Sequence, residues 1–72
     1  METPHVLVDV HGLVSTRVGN ARKPVPHGRY ELVERSLGDF ELHGTSGVFE
    51  LTLHDVLSYL RNEMTVVEGQ WP

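Results

Sequence analysis

Cysteine is absent from all 72 residues, which excludes disulfides, a thiolate zinc site and a cysteine nucleophile. A chain this short buries a smaller share of its surface than a larger one, and small scaffolds without such staples often gain stability by oligomerising. A homodimer or higher oligomer is therefore expected. The sequence also lacks a secretory leader pattern, and no apolar run approaches the roughly 20 residues that span a bilayer. Neither membrane association nor export is expected, and a cysteine-free chain fits a reducing, cytoplasmic setting. No Gly-x-Ser-x-Gly, Gly-x-x-x-x-Gly-Lys or His-Glu-x-x-His pattern occurs, so no common catalytic, phosphate-binding or metalloprotease signature is at hand and no cofactor is expected. There is no internal repeat and no low-complexity segment.

What is there suits one folded domain over residues 1–72, with 39% apolar and 22% charged residues. The net charge of −4 is unevenly spread. Residues 17 to 35 carry Arg17, Arg22, Lys23, Arg29 and Arg35 against Glu31 and Glu34, a local +3. Residues 36 to 72 carry Arg61 against Asp39, Glu41, Glu50, Asp55, Glu63 and Glu68, a local −5. Such asymmetry bears on partners and association rather than on fold.

Periodicity supplies the elements. In "VLVDVH" Val6, Val8 and Val10 alternate with Leu7, Asp9 and His11, as in a half-buried strand, and "LVSTRV" (13–18) resumes extended structure after Gly12. "GNARKPVPHG" (19–28) shows neither period and reads as a connection of about ten residues, made locally stiff by its prolines. "RYELVER", "DFELH" and "VFELTL" then place Tyr30, Leu32, Phe40, Leu42, Phe49, Leu51 and Leu53 on one face. The turn-like "SLG" and "GTSG" between them complete a three-stranded antiparallel meander. In "TLHDVLSYLRNEM" the period changes. Thr52 and Asp55 form a capping arrangement, and Leu53, Val56, Leu57, Leu60 and Met64 recur at helical spacing, predicting about three turns with those five side chains in the core. "TVVEG" (65–69) can return as a last strand.

The fold class expected is α+β: a small, mostly antiparallel five-stranded sheet in the order strand, long loop, three-stranded meander, helix, strand, with one helix. The same element order resembles the SH3-like small β-barrel, which makes a closed barrel the rival architecture; element order alone brings no function with it.

Three groups of residues invite a functional reading. His5, Asp9 and His11 share a strand face, with Asp9 and His11 roughly 7 Å apart, and imidazole and carboxylate suit a transition metal or acid–base pair. A metal needs three or four converging donors, and His27, His43 and His54 fall in other elements, so the plain reading is the wet face of a strand and no metal is expected. Arg17, Arg22, Lys23 and Arg29 surround the proline loop and could meet phosphates, with Tyr30 available to stack on a base. The overall acidity and the lack of a nucleic-acid motif favour a protein surface instead. Glu41 and Glu50, on the meander face away from the core, offer an acidic surface to such a basic loop, including that of a second copy. Tyr59 and Trp71 have the apolar body and polar tip of interface anchors.

The function expected is thus a small non-enzymatic binding, adaptor or regulatory protein acting through protein–protein contacts, as a homo-oligomer. A nucleic-acid-binding module using residues 17–29 is the second reading, and a small metal-dependent or acid–base enzyme centred on the first strand the third.

Overall fold

A computed structural model describes residues 6–67. Seven strands and one helix follow in chain order: β1 (Val6–Val10), β2 (Ser15–Val18), β3 (Ala21–Pro24), β4 (Gly28–Ser36), β5 (Asp39–Gly44), β6 (Gly47–Thr52), α1 (Leu53–Tyr59) and β7 (Met64–Val66). The expected five strands make one antiparallel sheet in the order β6-β5-β4-β1-β7. It is open, with β6 and β7 as its edges, so the closed-barrel alternative does not apply.

The register realises the alternation read from sequence. Val8 pairs with Tyr30, Leu32 with Leu42, and Leu42 with Phe49, so the apolar positions of four strands share one face. A slip of one residue would turn each set into water, which is why the pattern fixes the pairing. Val8, Val10, Tyr30, Leu42, Leu51, Val56 and Met64 form the core together with Val14 and Val25. Tyr30 lies edge-on to Phe49 at 6.0 Å between ring centres, and its hydroxyl donates to the Pro26 carbonyl at 2.7 Å. The ring also passes over Gly44, where an added Cβ would stand 2.6 Å from Tyr30 Cδ2. Gly44 is therefore required by close approach, whereas the positive φ of the turn-like "GTSG" is taken by Gly47, at φ 130°.

The segment read as a connection behaves differently. Residues 21–24 form a strand, pairing with β2 to make a two-stranded ribbon in which Arg17 lies opposite Arg22 and Thr16 opposite Lys23. Gly19 takes φ 62° at the first central turn position, the placement of glycine in a type II′ hairpin. "GN" is the signal for this turn; β3 leaves no periodicity in the sequence because its four residues are all exposed and carry no apolar alternation. Pro24 is tolerated because β3 is an edge strand. Val14 and Val25 anchor the ribbon's base in the core, linked by a Val25 N–H to Val14 carbonyl bond of 2.7 Å. Thr16 Oγ1 ties the ribbon to β6 by donating to the Glu50 carbonyl at 2.7 Å.

The helix is shorter than predicted. It spans seven residues, capped by Thr52 and Asp55 in a reciprocal capping box, and packs on β5 and β6. Of the five side chains expected in the core, Val56 and Met64 are buried, Met64 as part of β7, and Leu60 is half-buried in the turn after the helix. Leu53 and Leu57 are 45% and 59% exposed. A two-turn helix lying on a sheet presents only one narrow stripe inward, and Val56 takes it.

Candidate functional site

The ribbon positions the first group of candidates. Because Arg17 and Arg22 are directly opposed, both guanidinium stems rise from the same ribbon face, while Lys23 and Thr16 take the other. On the arginine face the ribbon meets α1 through Tyr59. The Ser15 N–H donates to the Tyr59 hydroxyl at 3.3 Å, that hydroxyl donates to the Ser15 carbonyl at 3.3 Å, and Arg22 Nη2 donates to it at 3.3 Å. Arg22 Nε also donates to Ser15 Oγ at 3.0 Å. Burial opposes ionisation of the phenol, but the Ser15 hydrogen bonds and the Arg22 guanidinium outweigh it and hold its pKa below the usual tyrosine value. Tyr59 is thus the pin between helix and ribbon.

The side chains of Arg17 and Lys23 make no hydrogen bond or ion pair with a described residue. Arg17 and Arg22 line a cleft of about 300 Å³ whose other wall holds Asp39, Glu50 and Asp55. Among the described residues no ion pair spans it. Asp39 is bonded to Ser36 Oγ at 2.8 Å and Asp55 to the Thr52 N–H at 3.3 Å.

The outer sheet face carries the second group. Glu41 is opposite Glu50 and next to Val33 and His43 in the register. Its carboxylate, 11% exposed, accepts from Arg35 Nη1 at 3.0 Å and from His43 Nε2 at 2.7 Å. The Arg35 bond, then the His43 bond, hold its pKa below the ordinary carboxylate range, and the same contact raises that of Arg35. Farther along this face Arg29 grips Asp9 with two bonds of 2.9 and 3.3 Å, lowering the Asp9 pKa and raising its own. Arg29 is therefore engaged with Asp9 of β1, whereas Arg17 and Arg22 line the cleft beside β6, and the four basic candidates do not form one patch.

The opening histidine–aspartate group does not converge. Asp9 is held by Arg29, His11 Nε2 is 2.8 Å from Thr65 Oγ1, and His27 donates to the Gly12 carbonyl at 3.0 Å. Among the described residues no three histidines or carboxylates are placed to hold a metal ion. His5 and Trp71 lie outside the described residues. Tyr30 is 2% exposed and bonded to Pro26, so it is not the base-stacking platform that the sequence offered beside the arginines.

A surface that sequence reasoning missed surrounds the helix. At about 100° per residue, with Val56 inward, Leu53 and Leu57 fall on one flank of α1 and Asp55 and Tyr59 on the other. The ribbon claims the Tyr59 flank, Leu53 and Leu57 stay largely in water on the other, and the core face has a partly covered part as well. There Val6 and Leu32, paired across β1 and β4, are half-buried, and Val66 on the β7 edge is 44% exposed. Leu37, in the turn between β4 and β5, is 98% exposed, and the bond from the Leu53 N–H to the Gly38 carbonyl (2.9 Å) brings that turn to the start of the helix. The signal was present as two leucines more than a two-turn helix can bury. No described helix is long and apolar enough to cross a membrane. Compared with protein-family models, curated proteins and solved structures, the chain gives no match.

Proposed function

We propose that this chain is a small protein-binding module that docks its partner on the apolar corner made by Leu53 and Leu57 of α1, Leu37 of the adjoining turn, and Val66 with Val6 and Leu32 on the core face. The observation that carries this reading is the exposure of Leu53 and Leu57 on one flank of α1, with the exposed Leu37 in the turn bonded to the helix start and Val66 exposed on β7. Exposed apolar side chains scattered singly are ordinary, whereas a contiguous set rimmed by polar residues marks an interaction surface. The helix flank gives a partner Leu53 and Leu57, one turn apart, and His54, Ser58 and Arg61 form its polar rim. The outer-face clusters fit a supporting role, since Glu41 and Asp9 are already satisfied by their own arginines.

The test is affinity capture from native cell extract, with nuclease, comparing the wild-type chain with the Leu53→Ser/Leu57→Ser variant, followed by reconstitution of any complex from purified components. A protein retained by the wild type, lost with the variant and bound again in purified form is the expected result. Retention that nuclease abolishes, or that the variant leaves unchanged, overturns the reading.

A further inference from the structure

A second surface, along the β6 edge, is self-complementary. It joins the Arg17–Arg22 cleft to a neighbouring one of about 380 Å³ between ribbon and edge, lined by Thr16, Arg17, Val18, Lys23, Val48, Phe49 and Glu50. Both signs of charge line these clefts with no ion pair between them among the described residues: Arg17, Arg22 and Lys23 on the ribbon, Asp39, Glu50 and Asp55 on the ridge opposite, where Asp39 and Glu50 also lie in the field of Arg35. Arginines directly opposed across a strand pair repel, so this ladder is a local cost to the isolated chain. The contrast within the protein is informative, because Arg29 and Arg35 each have a carboxylate in hand. Val18 and Val48, which line the larger cleft, are 53% and 55% exposed.

The backbone adds to this. Glu50 turns its carbonyl away from β5 toward Thr16, so the two-residue period of the ladder turns the Val48 amide and carbonyl outward too. Unpaired edge groups beside exposed valines are a template for another chain.

We infer that the occupant of this edge is a second copy of the chain. Across a two-fold axis at the β6 edge, the Arg17–Arg22 ladder of each protomer faces the Asp39–Glu50 ridge of its partner, and the Val18 and Val48 side chains meet between the two charged rows. An isologous contact needs this juxtaposition, because every basic row must find an acidic row on an identical surface. The second copy answers both the uncompensated ladder and the open edge, and it leaves the leucine corner of each protomer free.

Charge reversal tests the pairing. Solution mass is followed by sedimentation over a concentration series at about 0.02 M and about 0.5 M salt, since screening weakens such contacts. The wild type is expected to reach twice the 8.1 kDa of one chain, with weaker association at high salt. Arg17→Glu/Arg22→Glu and Asp39→Lys/Glu50→Lys, each confirmed as folded by circular dichroism, are each expected to weaken self-association at least about tenfold, as like charges then face each other. An equimolar mixture of the two is expected to recover a heterodimer, because each reversed row then meets its complement. Arg17→Glu alone, at a side chain with no described partner, gives the same reading should the Arg22 change disturb Tyr59.

A wild type that stays monomeric at about 0.02 M salt overturns the inference and leaves this edge to a different partner. A dimer indifferent to both reversals, or a mixture that fails to re-associate, overturns it equally. The Leu53→Ser/Leu57→Ser variant is expected to dimerise as the wild type does, so the two surfaces are tested separately.

Discussion

Glu41 is the most enclosed charge of the outer sheet face, and its environment makes a directional statement about pH. Bonds from Arg35 and His43 hold its folded pKa below the ordinary value of 4.5. A carboxylate whose pKa is depressed on folding contributes stability in full above its unfolded value, and loses it as pH falls through the folded one. Urea unfolding midpoints of the wild type are therefore expected to drop as pH is lowered through and below the ordinary glutamate range. The gap between wild type and Glu41→Gln should narrow over that same window; a gap constant with pH would show that the Arg35 and His43 bonds do not favour the ionised form. Asp9 contributes in the same sense through Arg29, so the variant keeps part of the wild-type slope.

At the scale of the element, α1 depends on its ends and on one inward residue. Seven residues are too few for an isolated helix in water, so capping and the burial of Val56 hold it. Thr52 Oγ1 accepts from the Asp55 N–H at 3.1 Å, and the Asp55 carboxylate accepts from the Thr52 N–H. Thr52→Ala is expected to cost about 1 kcal/mol, within the range measured for lost caps, read as a lowered urea midpoint at constant slope. A change below about 0.3 kcal/mol would show that packing alone sets this helix start. The two leucines depart from the core expected of them at this scale. Spacing marks which residues share a helix face, and Leu53 and Leu57 do share one with Val56; it does not say how wide a stripe the sheet beneath can cover. Strand β3 is the complementary case, a strand without an apolar pattern, placed by a two-residue turn.

For the whole molecule, what matters is how two covers share one sheet face. The ribbon and α1 lie over the β5–β6 side, tied to each other by Tyr59 and to β6 by Thr16, while the far corner keeps its valines and leucines partly in water. Cohesion should therefore be graded. The amides shared by β1 and β4, at the centre of the five-stranded sheet, are expected to be the slowest to exchange with deuterium, and those of the exposed β3 the fastest among the strands. Equal protection in β3 and β4 would show that the ribbon opens only with global unfolding. The uneven cover also leaves two different surfaces, an apolar corner and a charged edge, on a domain with extents of 37 × 25 × 23 Å.

The five-stranded order and the inward face of the meander were legible in the sequence, because alternation every second residue is local and a one-residue slip would expose Tyr30, Leu42 and Leu51 together. The helix start was legible for the same reason, since Thr52 and Asp55 cap one another across a single turn. Only the tertiary structure decided which arginines find carboxylates, that Arg17 and Arg22 stand side by side without one, and that Leu53 and Leu57 remain exposed. Each of these depends on what lies across a strand pair or over a sheet, between residues far apart in the chain, where periodicity carries no information.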